Sequence, residues 1–141
     1  MRNELAEIEV CCKSIIENTS ELLNWEWDDY IGAFLATFGQ QEAEAIEAIC
    51  DQCFMSRWDA AALGDIPADV MAVAESLGGL RNRQQLMVTA PGDSLTAYGA
   101  WWPWGDGKTI SLRIGLIIHG KVPEHAGAEF TQEFREWFTT K

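Results

Sequence analysis

Four cysteines are the residues with the most obvious chemical potential, and they occur as two close pairs, Cys11-Cys12 and Cys50-x-x-Cys53. The C-x-x-C spacing is typical of structural zinc sites and of thioredoxin-like redox motifs. Those sites place the pair in a turn or at a helix N-terminus, whereas Cys50 and Cys53 fall within an apolar stripe at helical spacing. Adjacent helical residues point about 100° apart, so Cys11 and Cys12 are poorly placed to bind one metal. The sequence therefore predicts buried, reduced core thiols and neither a metal nor a cofactor.

Two further patterns resemble reactive motifs without the context those motifs need. The segment Gly105-Asp106-Gly107-Lys108-Thr109 matches the end of a phosphate-binding loop, but tryptophan occupies position 102, where the full pattern requires glycine. A strand pattern follows instead of the helix that would hold a phosphate, so we predict a hairpin loop. The two histidines, His119 and His125, flank a strand-to-helix junction without a third metal ligand at fixed spacing and are expected to be exposed loop residues.

Tryptophan is the unusual feature of this chain, with seven copies, three of them in the segment Trp101-Trp102-Pro103-Trp104. Neighbouring residues in a strand face opposite sides of the sheet, so Trp101 and Trp102 cannot share one core. Two alternatives remain open. Either helices cover both faces and bury every indole, or at least one indole lines a ligand pocket or a protein interface.

Arg113 interrupts an otherwise apolar strand pattern and needs a carboxylate, a ligand anion or water as its partner. We therefore predict a ligand site between the strands and the helices, with Arg113 as its polar anchor and Trp25 and Trp27 covering it. No catalytic residue is predicted. The candidate ligand-binding residues are Trp101, Trp102, Trp104, Tyr98, Arg113, Trp25 and Trp27.

The first half of the chain has the apolar spacing of helices. About four helices are predicted there, and Gly39 and the pair Gly78-Gly79 are interpreted as helix ends. The predicted helices are drawn from five segments: 3–23, 30–38, the stripe from Ile46 to Phe54, a short helix from Ser56 to Gly64, and a helix from Pro67 to Leu77.

The second half changes to strand patterns, predicted at Gln85–Ala90, Leu95–Trp102 and Thr109–Ile118. The third is the clearest, because every second residue from Ile110 to Ile118 is apolar. Short connections favour an antiparallel meander of these three strands. A last helix, starting near Pro123, presents Phe130, Phe134, Trp137 and Phe138. The predicted fold is one α+β domain over residues 1–141, with a helical N-terminal half, a three-stranded antiparallel β-meander and a C-terminal helix.

Composition narrows the classes of function. The 141 residues are 48% hydrophobic, and 22 acidic against 10 basic residues give a net charge of −12. Such a field disfavours nucleic acid and anionic membranes as partners. No segment approaches the ~20 apolar residues of a membrane span, and the first residues lack the apolar core of a secretory signal. We therefore expect a soluble, cytoplasmic protein.

These observations favour a small-molecule-binding module with an aromatic pocket. The alternative is a protein-interaction module, either a homodimer or an acidic inhibitor of a basic partner. A small hydrolase acting on a sugar is the third hypothesis, and the spacing of the many carboxylates selects no catalytic pair for it.

Overall fold

The computed structural model describes residues 2–90, 92–120 and 122–139. Within these ranges the chain forms four α-helices, six strands and two short 3₁₀ helices. In chain order these are α1 (Arg2–Thr19), β1 (Glu26–Asp28), β2 (Ala33–Gly39), a 3₁₀ helix (Gln40–Glu42), α2 (Ala43–Asp51), β3 (Ser56–Asp59), a 3₁₀ helix (Ala60–Asp65), α3 (Ala68–Ser76), β4 (Gln85–Val88), β5 (Leu95–Pro103), β6 (Thr109–Ile118) and α4 (Glu124–Thr139). No helix in these ranges has the length and apolar character needed to cross a membrane.

All six strands belong to one antiparallel sheet with the order β1-β2-β6-β5-β4-β3. The α+β class is as predicted, and β4, β5 and β6 form a meander where three strands were expected. The architecture predicted around them is wrong, because β1, β2 and β3 arise from the half of the chain that was expected to be helical.

The predicted helix over residues 30–38 is β2, preceded by a turn. Phe34 and Phe38 are four residues apart, a spacing that puts side chains on one face of a helix and equally on one face of a strand. Ala36, between them, is also buried, which shows the period of two. The strand pairs with β6 from Ala33 opposite Gly115 to Gly39 opposite Thr109. Gly39 is therefore the last residue of a strand, and it does not end a helix as predicted.

The short helix predicted from Ser56 to Gly64 is also wrong in its first half. Ser56–Asp59 forms β3, the edge strand beside β4. Asp59 then caps the following 3₁₀ helix, because its carboxylate accepts a hydrogen bond from the backbone N–H of Ala61 at 3.0 Å. The helical segment therefore follows Asp59 and does not begin at Ser56 as predicted.

The remaining helices lie close to their predicted positions. α1 ends at Thr19, whose hydroxyl donates to the carbonyl of Ile15 at 2.7 Å, and Leu22 beyond it is exposed. α3 follows Pro67 and is terminated by Gly78 and Gly79, which adopt φ values of +94° and +93° that favour glycine.

Three of the helices lie on one face of the sheet. α1, α2 and α4 pack on it and bury a continuous apolar core. Phe34 of β2 is its centre: its ring stacks on Phe138 with centroids 4.1 Å apart and also contacts Phe134 and Trp27.

Of the described α-helices, only α3 packs on the other face. Neighbouring strands are about 4.8 Å apart, so six strands span roughly 24 Å, whereas a helix with its side chains is about 10 Å wide. α3 packs over the β3-β4-β5 side, where Val70 and Ala74 are buried against Leu86 and Val88. The surface of β2 and β6 beside it is left without a helix, and the groove described next lies there.

α3 is also tied to the sheet by a polar contact. Nδ1 of His119, just after β6, lies 2.8 Å from the Asp69 carboxylate, and its Nε2 lies 3.0 Å from the Thr96 hydroxyl. The expectation that His119 is a free loop residue is therefore wrong, since it is half-buried and links β6 to α3.

Candidate functional site

Three of the predicted binding residues meet on the sheet face that α3 only partly covers. Trp102, Trp104 and Arg113 line an open groove of about 500 Å³. Trp101, the neighbour of Trp102, lies on the opposite face, where it is buried against Phe38. The two indoles thus face opposite ways, as the strand alternation requires.

The position of Trp104 is set by the turn that follows it. The Asp106 carboxylate accepts hydrogen bonds from the backbone N–H of Lys108 at 2.8 Å and from the N–H and hydroxyl of Thr109 at 2.9 and 2.8 Å. These bonds stabilise the ionised carboxylate and lower the pKa of Asp106. The hairpin predicted from Gly105-Asp106-Gly107 is therefore present. It returns the chain so that Trp104 Nε1 donates to Ser111 Oγ at 2.7 Å.

Arg113 lies on the groove floor beside Asp28. Its Nε is 3.4 Å from Asp28 Oδ2, and about a fifth of each side chain is exposed. The other carboxylate oxygen of Asp28 accepts the backbone N–H groups of Tyr30 and Ile31 at 3.0 and 3.3 Å. The backbone of the turn after β1 thus positions the Asp28 carboxylate, which in turn positions the Arg113 guanidinium.

Tyr98 packs beneath this ion pair without lining the open groove. Its ring covers Gly115, where a side-chain Cβ would lie only 2.4 Å from Cε2, Cζ and Oη of the tyrosine. Burial raises the pKa of Tyr98 to about 12, while the charge of Arg113 lowers it and that of Asp28 raises it. The phenol therefore stays neutral, close to both charges.

Aliphatic side chains complete the groove. Leu35 and Thr37 of β2 lie opposite Arg113 and Ser111 of β6 in the sheet register. Ile31 comes from the turn before β2, and Leu77 comes from the end of α3. The full lining is Asp28, Tyr30, Ile31, Leu35, Thr37, Ser76, Leu77, Trp102, Trp104, Ser111 and Arg113.

Trp25 and Trp27 do not cover this groove, because they pack on the opposite face. Trp25 contacts Phe138 edge-on at 5.5 Å, and Trp27 contacts Phe34 at 4.9 Å between ring centroids. The guanidinium of Arg135 lies 4.9 Å from the centre of the Trp27 ring. Since β1 alternates, placing Trp27 on the helical side places Asp28 on the groove side.

Asp28 is the charged groove residue that was not predicted from the sequence. It lies 85 residues from Arg113 along the chain. The alternation of Trp27 and Asp28 was the available signal, but it is informative only once this segment is known to be a strand.

A second cavity, of about 410 Å³, lies between α1 and the connection of β4 to β5, and Cys11 and Cys53 contribute to its lining. Burial raises the thiol pKa of Cys50 and Cys53 to about 12 and that of Cys12 further. The Cys53 thiol also donates to the carbonyl oxygen of Cys11 at 3.3 Å. A thiol that stays protonated is a poor nucleophile and metal ligand, so Cys53 contributes little chemistry to this cavity.

The cysteine pattern is thus accounted for by packing. All four are free thiols, three of them buried, and Cys50 lies in the last turn of α2 with Cys53 just beyond it. In the described part of the chain, no three His, Cys, Asp or Glu residues are grouped so as to hold a metal ion.

Comparison with known proteins adds no functional information, since neither a protein-family model, nor a curated protein, nor a solved structure matched the chain. The groove is therefore the feature of the molecule from which a function can be inferred. Its described lining contains neither histidine nor cysteine, and it offers apolar walls with one anchored cation. That arrangement is suited to holding a ligand.

Proposed function

We propose that this protein is a small-molecule-binding module whose ligand lies in the groove between the exposed half of the sheet and the end of α3. The observation that carries the proposal is the groove of about 500 Å³, walled by Trp102 and Trp104, with Arg113 on its floor. Ligand sites of roughly 300–1,000 Å³ with apolar walls and a few polar groups are the usual form of small-molecule pockets.

The packing of the sheet supports a ligand at this place. Trp102 and Leu35 are only partly buried and lie beside an open volume. A bound molecule would remove this apolar surface from water, a transfer that contributes about 25 cal/mol per Å². The groove thus provides both a driving force and a polar anchor.

The test combines a thermal-shift screen with tryptophan NMR on the full chain. A ligand at ~100 times its Kd adds about 2.7 kcal/mol to the free energy of unfolding, which raises Tm visibly. Hits are then titrated while the indole N–H signals of Trp102 and Trp104 are followed. A groove ligand shifts these two signals first.

Trp102→Leu and Trp137→Leu form a matched pair of variants. Both indoles are partly buried, but Trp137 lies on α4, on the opposite side of the sheet. We expect Trp102→Leu to weaken binding at least tenfold and Trp137→Leu to leave it unchanged. Equal losses in the two variants, or hits that shift only signals remote from the groove, would contradict the proposal.

A second candidate function uses the rim of the same groove. Tyr30 is 91% exposed and Trp104 is 49% exposed, and large exposed aromatic side chains are enriched at the centres of protein interfaces. Self-association through this rim is the interaction version of the hypothesis. Sedimentation of the wild type and of Tyr30→Ser/Trp104→Ser tests it, because a dimer held by this rim dissociates in the double variant.

The predicted cytoplasmic location stays a prediction.

A further inference from the structure

We infer that the groove binds a small monocarboxylate carried on a flat apolar body. This inference rests on the proposed function and adds the chemical class of the ligand. It follows from an inventory of the hydrogen-bond donors and acceptors that the groove leaves unused.

Arg113 provides the unused donors. Among the described residues, its only polar contact is the one from Nε to Asp28 Oδ2 at 3.4 Å. The two Nη groups, with four N–H donors, have no protein partner in those residues. A guanidinium with its Nη groups available pairs with a carboxylate through two parallel hydrogen bonds.

Asp28 is not available to bind a cationic ligand in the same way. One of its oxygens accepts the backbone N–H groups of Tyr30 and Ile31, and the other faces Arg113. Each carboxylate oxygen therefore already has a donor. A ligand ammonium group would also meet the guanidinium beside it, and like charges at that distance repel.

Ser111 provides a second donor on the groove floor. Its oxygen accepts the indole N–H of Trp104 at 2.7 Å, which leaves the hydroxyl hydrogen free to donate. Ser111 and Arg113 are two residues apart on one face of β6, so their Cα atoms are separated by roughly 7 Å. A carboxylate at Arg113 and a further acceptor on the ligand body at Ser111 would satisfy both.

The number of charges on the ligand is limited by the surroundings. A dianion would bring its second charge close to Asp28 and into the field of a chain with a net charge of −12. A single carboxylate needs only the one guanidinium. The flat body is selected by the walls, because Trp102, Leu35 and Leu77 present apolar surface around the charged floor.

Three probes of one shape test the inference on the wild-type chain: 2-naphthoate, its neutral amide 2-naphthamide, and the cation 2-naphthylmethylammonium. Titrations are followed by the indole N–H signals of Trp102 and Trp104. We expect the carboxylate to bind about tenfold or more tightly than the amide, since a hydrogen bond to a charged group contributes about 1.5–3 kcal/mol. The cation is expected to bind most weakly.

Arg113→Gln provides the residue-specific arm. In this variant the advantage of the carboxylate over the amide should fall to less than threefold. Wild-type titrations need no variant, so the inference remains testable if Arg113→Gln does not fold.

The outcomes separate the two proposals. If the amide or the cation binds to the groove as tightly as the carboxylate, the carboxylate inference is wrong and the ligand-binding function stands. If no probe moves the groove indoles and the wider screen also gives no groove ligand, both are wrong. If Arg113→Gln keeps the full preference for the carboxylate, Arg113 is not the anchor and the inference fails.

Discussion

Gly115→Ala tests the packing beneath the groove directly. The added Cβ would lie 2.4 Å from two ring carbons and the hydroxyl oxygen of Tyr98, about 1 Å closer than the shortest ordinary contact of 3.4 Å. Tyr98 is buried and cannot swing into solvent, so its ring or the strands must shift. Overpacking of this kind costs about 1–3 kcal/mol. For a domain of this size that lowers Tm by roughly 3–10 °C.

A double-mutant cycle assigns this cost to Tyr98. Tyr98→Leu removes the ring, so Gly115→Ala should cost less than about 0.5 kcal/mol in the Tyr98→Leu background. Gly105→Ala is the control, because nothing lies within 4 Å of a Cβ there and its φ is not in the left-handed region. That change should leave stability the same or slightly raise it.

Urea unfolding followed by circular dichroism measures the free energy of unfolding of the four chains in the cycle and of the Gly105→Ala control. A Gly115→Ala chain as stable as the wild type would refute the reasoning, because the ring would then have room to move. An equal loss in both backgrounds would also refute it, since the cost would not arise from Tyr98.

Three further predictions concern the rest of the fold. Phe34→Ala should lower the free energy of unfolding by about 3–5 kcal/mol in urea titrations, because a fully buried ring is removed; a loss below 1 kcal/mol would contradict its central place. The lowered pKa of Asp106 means that its stabilisation of the hairpin is present above the ordinary carboxyl pKa and is lost as pH falls through the lowered one. The amide signals of Lys108 and Thr109 should therefore change with a titration midpoint at a lower pH than the midpoint of an aspartate without such hydrogen bonds. Equal midpoints would contradict this prediction. At pH 8 a disulfide reagent should react first with the half-buried thiol of Cys11, whereas Cys12, Cys50 and Cys53 should react only after the chain unfolds. Equal reaction rates at all four thiols would contradict this prediction.

The strands in the second half of the chain were predictable because their alternation of apolar and polar residues fits a strand and does not fit a helix. In β6 every second residue from Ile110 to Ile118 is apolar, and no helix would place those residues on one side. β2 was not predictable in the same way, because the Phe34–Phe38 spacing fits a helix and a strand alike. Pairing with β6 decides between them, and that pairing is a tertiary interaction.

Of the groove lining, only Trp102, Trp104 and Arg113 were predicted from the sequence. Strand alternation alone places Trp101 and Trp102 on opposite faces, and the hairpin follows from Asp106 and the glycines beside it. The partner of Arg113 was not predictable, because Asp28 reaches it through a strand order that local sequence does not encode. The opening over β2 and β6 depends on the width of a six-stranded sheet, and only three strands were expected.

The register of β2 against β6 has a consequence for the order in which the chain assembles. β5 and β6 are joined by a tight hairpin and can pair early, whereas β2 must return from the opposite end of the sequence to meet β6. Leu35 and Thr37 reach their places opposite Arg113 and Ser111 only in that non-local step. The groove is therefore absent from partly folded chains, and a ligand bound there as proposed would stabilise only the completed sheet. During refolding, binding should recover later than the β5-β6 hairpin forms. Binding in the groove would therefore report that β2 has paired with β6.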